Sequence, residues 1–191
     1  MIEVRNLCKA YNGKTVLDGL NLSFPIAKTS CIMGPSGGGK TTLLRIMLGL
    51  EKADDGEILG MEDKRPSFVF QEDRLCEHLS AAANIRLVCS KKVQNDDIKR
   101  ALAAVGLPES SADQPVRSMS GGQKRRVAIL RALMAEHDIL FMDEPFKELD
   151  TETKERVIAH VREQSKGKTV VLVTHDEAEC ALMGGQCFVL G

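Results

Sequence analysis

The chain has 191 residues, of which 28% are charged, and its formal net charge is -1. This length suits one compact domain with a sizeable hydrophobic core, and the near-neutral charge excludes a surface that binds polyanions throughout, so we expect no nucleic-acid partner. No apolar run reaches the ~20 residues of a membrane span, and the first residues do not resemble a signal peptide. We therefore expect a soluble, cytosolic chain.

The six cysteines are scattered along the chain and lack the Cys-x-x-Cys spacing of metal sites. Most of them lie inside apolar runs, such as the run Ser30-Cys31-Ile32-Met33. Cytosolic thiols stay reduced, and a cysteine without a metal or a partner behaves as a small hydrophobic residue. We predict six reduced thiols that are buried or half-buried.

Two alternating segments at the start of the chain, residues 1–7 and 16–24, predict antiparallel strands joined by a turn over residues 11–14. The single tyrosine of the chain, Tyr11, lies in that predicted turn. Its position leaves two roles open: a half-buried surface ring, or a platform on which a base stacks while water reaches the hydroxyl.

A glycine-rich segment follows a predicted strand at residues 29–33 and precedes a predicted helix at residues 40–48, which Gly49 ends. Strand, glycine loop and helix, with this spacing, are typical of a loop that binds nucleoside triphosphates. The predicted nucleotide-binding residues are Gly34, Pro35, Ser36, Gly37, Gly38, Gly39, Lys40, Thr41 and Thr42.

Each residue type in this phosphate loop has a physical role. Glycines let the backbone curve around an anion without a Cβ in the way, and the amides at the helix start direct partial positive charge at a phosphate. Lys40 adds a full charge for the β- and γ-phosphates, and the Thr41 hydroxyl is a ligand for Mg²⁺. On this stretch alone, a glycine turn at a helix start remains the alternative.

The middle of the chain predicts a short strand at residues 57–59 and a buried strand at residues 67–70 that ends at Gln71. Open α/β sheets place ligand-binding groups at the carboxyl ends of their strands, which is where Gln71 lies. From Leu79 to about Val105 the pattern is helical. This mostly helical block is predicted to be an insertion at the side of the core.

A second glycine segment begins at Ser120, where Ser120 and Gln123 form a capping-box pattern. A well-capped helix accounts for these two residues. It does not account for Gly121 and Gly122, which weaken a first helical turn and expose backbone N–H groups. We interpret this helix start as a second phosphate-binding segment.

The continuous apolar run at residues 139–142 predicts a central parallel strand, which ends at two carboxylates, Asp143 and Glu144. Adjacent carboxylates repel each other unless a cation or a proton intervenes. Asp143 is therefore predicted to hold the hydrated Mg²⁺, and Glu144 to accept a proton from an attacking water.

Further along, Asp150 or Thr151 is predicted to cap a helix that runs to about residue 164. A buried strand at residues 169–173 then ends near His175, which is placed to hydrogen-bond a γ-phosphate. Residues 185–190 predict a last short strand.

Taken together, these motifs resemble the ATP-binding subunit of ABC transporters over essentially all 191 residues. In that family the residue at Gln71 belongs to the glutamine loop, Met119-Ser120-Gly121-Gly122-Gln123 is the signature motif, and His175 is the switch histidine. The resemblance implies an α/β P-loop NTPase core with a mostly parallel sheet, an N-terminal antiparallel piece and an inserted helical subdomain. Residues 1–71 and 119–191 form the core, and residues 72–118 form the subdomain.

The resemblance also implies roles for individual residues and an ATP and Mg²⁺ requirement. The catalytic set is Lys40, Gln71, Glu144 and His175, and the metal set is Thr41, Gln71 and Asp143. The residues that bind ATP, beyond the phosphate loop, are Tyr11 as the aromatic that stacks on adenine, Ser120, Gly121, Gly122, Gln123 and Asp150.

The implied partners are a second ATPase subunit, identical or paired, and integral-membrane subunits at the inner face of the cell membrane. The resemblance also allows for a substrate-binding protein. Residues 71–75 are most similar to those of importers of the nitrate, sulfonate and taurine group. By the family's arrangement, the phosphate loop of one subunit and Ser120 of the other contact the same ATP, and ATP closes the dimer.

The sequence departs from the family pattern at two places, and two other functions remain as alternatives. Met119 replaces leucine at similar volume, whereas Lys147 and Glu148 replace small residues, which puts the dimer contact there in doubt. One alternative is a soluble ABC-type ATPase that acts on nucleic acid or ribosomes, but such proteins tend to carry tandem cassettes or long arms. The other is a small-molecule P-loop kinase, which needs lid arginines and an acceptor pocket.

Overall fold

The computed structural model describes residues 1–190. In chain order, the strands and helices of these residues are β1 (Ile2–Tyr11), β2 (Lys14–Phe24), β3 (Thr29–Met33), α1 (Lys40–Met47), β4 (Asp55–Leu59), β5 (Pro66–Val69), α2 (Ala81–Arg86), α3 (Asn95–Ala104), α4 (Gly121–Met134), β6 (Ile139–Asp143), α5 (Thr151–Gln164), β7 (Thr169–Val173), α6 (Glu177–Met183) and β8 (Gln186–Val189). Two short 3₁₀ segments, Glu109–Asp113 and Val116–Ser118, lie between α3 and α4.

Within the described residues the strands form two sheets. Five parallel strands lie in the order β5-β6-β7-β3-β8, and three antiparallel strands lie in the order β2-β1-β4. Every residue of β6 and β7 is buried, as continuous apolar runs at the centre of a parallel sheet require. The predicted α/β class with an antiparallel piece is confirmed.

The parallel sheet separates two hydrophobic clusters. On one face, α2, α3, α4 and α5 cover residues such as Leu140 and Leu172. On the other face, α1 and the antiparallel sheet cover residues such as Phe141 and Val171. Neighbouring residues of one strand therefore point their side chains to opposite faces of the sheet. The polar residues of the site lie at the ends of the strands.

The first hairpin extends further than predicted. β1 runs to Tyr11, which pairs with Lys14 across the left-handed residues Asn12 and Gly13, so Tyr11 closes a strand rather than lying in the turn. In β1, where buried and exposed side chains largely alternate, one of the buried positions is held by a charged residue, Lys9. Its ammonium is 3.0 Å from an Asp54 carboxylate oxygen, and this pairing is why a lysine occupies an inward-facing strand position.

The single helical block predicted from Leu79 to about Val105 is wrong: it is two helices, α2 and α3, separated by residues 87–94. Cys89 pairs with Ala135 in an isolated β-bridge, which draws the connecting chain into an extended path. A new helix then starts at the capping box of Gln94 and Asp97. The structure also adds α6, which the sequence reasoning missed.

All six cysteines of the chain carry free thiols in the described structure. Cys31 and Cys180 are buried, but Cys76 and Cys187 are exposed, so the prediction that all six are buried or half-buried is wrong. Cys187 lies on β8, at the edge of the parallel sheet, where a strand is covered on fewer sides. None of the helices found within residues 1–190 is long and apolar enough to cross a membrane.

Candidate nucleotide site

The phosphate loop connects β3 to α1 through backbone conformations that favour glycine. Gly34 has φ 144° and Gly39 has φ 83°. A Cβ on Gly34 would lie 2.2 Å from the Leu190 carbonyl oxygen, and one on Gly39 would lie 2.5 Å from Leu17 Cδ2. The Cβ on Gly39 would also lie 2.8 Å from the backbone carbonyl oxygen of Val16, so at both positions a side chain would clash with rigid backbone and the loop favours glycine.

Lys40 is the first residue of α1, and only 7% of it is exposed. Its ammonium donates hydrogen bonds of 2.8 Å to the carbonyl oxygens of Gly34 and Pro35. Among the ion pairs of residues 1–190, none includes Lys40. A buried cation that is held by neutral carbonyls keeps its charge available for an anion.

A cavity of about 210 Å³ opens at this loop. We call it the phosphate-loop cavity, and it is lined by Val16, Ser36, Gly37, Gly39, Lys40, Thr41, Thr42, Gln71 and Glu144. It brings together segments that are far apart in sequence: the phosphate loop, the end of β5 at Gln71, and the end of β6 at Glu144. These segments meet because β3, β5 and β6 are parallel and present their carboxyl ends at one edge of the sheet.

Thr41 and Asp143 form an oxygen pair beside this cavity. The Thr41 hydroxyl donates a 2.8 Å hydrogen bond to Asp143 Oδ2, and Asp143 is only 2% exposed. Burial raises the pKa of the Asp143 carboxyl, the nearby Glu144 charge raises it further, and the hydrogen bond from Thr41 opposes both effects. A hydroxyl next to a carboxylate whose ionised form is costly suits a hard divalent cation such as Mg²⁺.

Glu144 follows β6 in a left-handed conformation with φ 45°, which is rare for a residue with a side chain. Its amide donates a 2.9 Å hydrogen bond to the carbonyl of Val173 on the adjacent strand. Its carboxylate lies 3.8 Å from the Lys147 ammonium nitrogen and 3.8 Å from Nδ1 of the His175 ring. The strained backbone therefore directs this carboxylate toward His175 and the cavity.

The segment from Ser120 to Gln123 has the predicted capping box. The Ser120 hydroxyl accepts a 3.3 Å bond from the Gln123 amide, and the Gln123 side chain accepts a 2.9 Å bond from the Ser120 amide. Ser120 is exposed and, within the described chain, does not line the phosphate-loop cavity. Gly121 faces the loop after β6, since a Cβ on it would lie 3.4 Å from Glu148 Oε2.

Asp150 and Tyr11 also lie outside the cavity lining, as do Asp143 and His175. Asp150 is the N-cap of α5, where it accepts a 3.0 Å bond from the Thr153 amide, and this bond lowers its pKa. Tyr11 is 39% exposed, and Lys9 Nζ lies 5.2 Å from the centre of its ring. The sequence thus placed Asp150 correctly as a helix cap.

Arg125 is a residue that the sequence reasoning missed. It is 4% exposed and donates to backbone carbonyls of two segments that line or adjoin the cavity. The signal was present: Arg125 is three and four residues before Ala128 and Ile129, which are both buried, so it belongs to the inner face of α4. A charged residue on a buried helix face needs partners, and these were not visible in the local sequence.

A parallel sheet with a glycine loop and a helix after one strand, and a buried aspartate at the end of another, defines a P-loop nucleotide-binding domain. The model of the family described as "ABC transporter" matches residues 17–147. The spermidine/putrescine import ATP-binding protein PotA of Spiroplasma citri is 35% identical over 206 aligned residues, which cover 100% of this chain and 59% of that protein. The chain thus spans about three-fifths of the length of such relatives.

The aliphatic sulfonates import ATP-binding protein SsuB 3 of Paraburkholderia xenovorans strain LB400 is 38% identical, over 99% of this chain and 76% of that protein. Among solved structures, the dimeric structure of a post-hydrolysis state of the ATP-binding cassette MJ0796 bound to ADP and Pi has a TM-score of 0.85 and 30% identity. It matches 100% of this chain and 94% of that one. The chain belongs to the ABC transporter family, as its motifs predicted, and has the fold of an ABC ATPase cassette.

Proposed function

We propose that this chain binds and hydrolyses ATP as the nucleotide-binding subunit of an ABC transporter that imports a small solute. The observation that carries the proposal is the phosphate-loop cavity, where Lys40, Gln71 and Glu144 line one space. A cation for the phosphates and a carboxylate for the attacking water are the two groups that phosphoryl transfer to water requires.

The loop and Lys40 would bind the triphosphate, and Thr41, Asp143 and Gln71 would hold Mg²⁺. The Thr41–Asp143 pair supports this assignment, because both oxygens lie at the same edge of the sheet 2.8 Å apart. When bound, Mg²⁺ neutralises charge on the β- and γ-phosphate oxygens. It would also offset the cost of ionising the buried Asp143.

Glu144 would accept the proton of the attacking water, and His175 would orient the γ-phosphate and the Glu144 carboxylate. The 3.8 Å separation between His175 Nδ1 and Glu144 Oε1 supports a shared task for these two side chains. The left-handed backbone of Glu144 supports it too, since strain of this kind is concentrated at functional sites.

The composite site would need two copies or a closely similar partner. The Ser120 hydroxyl and the amides of Gly121 and Gly122 would contact a phosphate, but the cavity lined by Lys40 lies elsewhere in the same chain. A partner's signature segment would complete it, with Tyr11 stacking on adenine and the loop at Asp150 bordering the interface. The dimeric MJ0796 cassettes, at TM-scores of 0.85 and 0.86, support this arrangement.

Membrane subunits at the inner face of the cell membrane would convert dimer closure into transport, with residues 72–118 as the helical subdomain that docks on them. The named solutes of the relatives differ: spermidine or putrescine, iron(III) and aliphatic sulfonates. We therefore assign the choice of solute to the membrane subunits and a substrate-binding protein. The second candidate function is that of a soluble ABC-type ATPase, which hydrolyses ATP at the same site without a membrane partner.

The experiment that tests the proposal compares Lys40→Ala with the wild-type chain. A charge-assisted contact is worth about 1.5–3 kcal/mol, so ATP should bind roughly 10- to 100-fold more weakly by calorimetry, and phosphate release should be lost. Lys28→Ala is the matched control, because Lys28 precedes β3 at the opposite end of that strand. Unchanged ATP affinity in Lys40→Ala would refute the site, and phosphate transfer to an acceptor other than water would favour a kinase.

A further inference from the structure

Arg125 joins two parts of the site through backbone hydrogen bonds. On one side it holds the end of β6: Nε donates to the carbonyl of Pro145 at 2.7 Å, and Nη2 donates to the carbonyls of Asp143 at 3.2 Å and Glu144 at 2.6 Å. These bonds hold the carbonyl of Glu144, the residue with the strained left-handed backbone. The guanidinium therefore anchors the backbone that carries the Glu144 carboxylate.

On the other side, Arg125 holds the loop after β5. Its Nη1 donates to the carbonyls of Phe70 at 2.7 Å and Gln71 at 3.2 Å, and lies 3.2 Å from Asp73 Oδ1. Gln71 and Glu144 both line the phosphate-loop cavity. A single side chain is thus bonded to the backbone of both.

The geometry of arginine gives this link its stiffness. The guanidinium is planar with five donors in fixed directions, so its partners on the two segments are held at a fixed spacing. A guanidinium that is 96% buried would be costly unless its donors were satisfied. Here five carbonyls and one carboxylate accept its bonds, and displacing one segment would leave a buried charge short of partners.

We propose that Arg125 is a positioning residue that makes the glutamine loop and the Glu144 segment move as one unit. The proposal rests on the proposed function, in which Gln71 and Glu144 both act on the bound ATP. A displacement of the glutamine loop, by a phosphate or by a membrane subunit, would be transmitted to Glu144 through Arg125. The signature helix α4 carries Arg125 and would share in that displacement.

The same helix offers a matched control. Arg131 donates to the carbonyls of Arg74 at 2.8 Å and Asp73 at 3.0 Å, so it holds the glutamine loop but not the end of β6. Like Arg125, it lies on α4 and donates hydrogen bonds to backbone carbonyls. Replacing Arg131 by lysine should disturb one segment, whereas replacing Arg125 by lysine should uncouple two.

The first experiment measures hydrogen exchange in the nucleotide-free chain, where hydrolysis plays no part. Asp73→Asn removes the charge partner of Arg125 on the loop and leaves the buried arginine in place. If the two segments are coupled, amide exchange should speed up in residues 70–73 and also in residues 143–146. Arg131→Lys should speed exchange in the loop alone. A change confined to residues 70–73 in Asp73→Asn would overturn the proposal.

The second experiment measures ATP hydrolysis. A positioning error near 1 Å costs up to about 10²-fold in rate, so Arg125→Lys should lower kcat by roughly 10- to 100-fold while KM for ATP stays near the wild-type value, because the phosphate loop is untouched. The double variant of Arg125→Lys and Gln71→Ala should lose much less kcat than the product of the two single fold-losses, because the two residues act together. Arg131→Lys with Gln71→Ala should give the product.

The outcomes separate the two claims. A folded Arg125→Lys with wild-type kcat, or losses that multiply with those of Gln71→Ala, would overturn the positioning role while ATP hydrolysis by the wild type still supports the proposed function. If Arg125→Lys unfolds in a melting assay, the same kinetic comparison is made with Asp73→Asn, for which a smaller loss in kcat is expected and an unchanged kcat counts against the proposal. A wild type that binds but never hydrolyses ATP would refute the proposed function, and hydrogen exchange would still decide the coupling.

Discussion

Asp143 is buried at the end of β6, where its carboxylate accepts a hydrogen bond from Thr41 and lies beside Glu144. Both the burial and the neighbouring charge disfavour the ionised form, and its pKa is raised. At neutral pH such a group lowers the stability of the fold, and in the proposed function a bound cation would offset that cost. The cost in stability can be measured by replacing Asp143 alone.

We predict that Asp143→Asn melts at a higher temperature than the wild type at pH 7 without nucleotide or metal. The native state binds the Asp143 proton more tightly than the unfolded chain, whose pKa is near the ordinary value of 3.8, so the wild type loses stability as the pH rises above that value. The difference between the two proteins should disappear toward pH 4. Asp113→Asn, at an exposed position, is the control that should show no such gain.

Saturating ATP and Mg²⁺ supply the second half of that test. A ligand at about 100 times its Kd stabilises a protein by about 2.7 kcal/mol, which corresponds to roughly 5–10 °C for a domain of this size. The wild type should show this increase and Asp143→Asn a much smaller one. A variant that melts below the wild type at pH 7, or that keeps the full increase with ATP and Mg²⁺, would contradict the metal role of Asp143.

At the scale of elements, the ion pair between Arg65 and Asp138 joins the starts of β5 and β6. The Arg65 amide donates to Asp138 Oδ2 at 2.9 Å, and its Nε donates to the same oxygen at 3.2 Å. These bonds lower the pKa of Asp138 to about 2. β5 is the edge strand that carries the glutamine loop at its far end, so this pair fixes the strand on which Gln71 depends.

We predict that Asp138→Asn lowers the stability of the fold at neutral pH. The variant should also lose less stability than the wild type when the pH is lowered. The depressed pKa means that the pair contributes fully above the ordinary value of 3.8 and loses its contribution as the pH falls from there to about 2. The melting temperatures of the wild type and the variant, plotted against pH, should therefore converge between pH 7 and pH 2. Glu136→Gln removes an exposed partner of Arg65 that makes no bond to its amide, and it should change stability less. Parallel curves for Asp138→Asn and the wild type would contradict this account.

The elements that the sequence predicted are those whose signals are local. β3, β6 and β7 are short apolar runs, and the spacing of glycines, Lys40 and Thr41 fixes the loop after β3. The break between α2 and α3 was missed because it depends on Cys89 pairing with Ala135, a contact 46 residues away in sequence. α6 was missed because its seven residues are too short to show a helical period.

The same distinction holds for the site. Lys40, Asp143 and Glu144 could be placed from their neighbours in sequence, since each follows a buried strand. Arg125 could not be placed, because its role depends on the carbonyls of Phe70 and Pro145, which only the folded sheet brings to α4. That Gln71 lies at the carboxyl edge of the sheet followed from its place directly after an apolar strand, but its spacing from Glu144 did not.

At the scale of the whole molecule, the two segments proposed to bind phosphate do not line one cavity. Lys40 lines the phosphate-loop cavity, whereas Ser120 is exposed just before α4, and the glycine after it, Gly121, faces the loop after β6. In the proposed function, one chain would therefore present two halves of a site that a second copy completes. Two copies arranged head to tail would form two complete sites, and ATP would be part of the interface.

ATP-dependent dimerisation of Glu144→Gln tests this central claim most directly. Glutamine keeps the size of the side chain but takes up no proton, so turnover should fall by about 10² to 10⁴, and removing a carboxylate next to the triphosphate leaves ATP affinity equal or higher. With ATP, size-exclusion chromatography should show twice the monomer mass of 20.9 kDa.

The controls fix the meaning of that shift. ADP lacks the phosphate that Ser120 of the second copy would bind, so it should leave the Glu144→Gln chain monomeric, and adding Ser120→Arg should abolish the dimer with ATP. The account predicts a dimer with ATP alone. A Glu144→Gln chain that stays monomeric at saturating ATP, or that hydrolyses ATP near the wild-type rate, would contradict it.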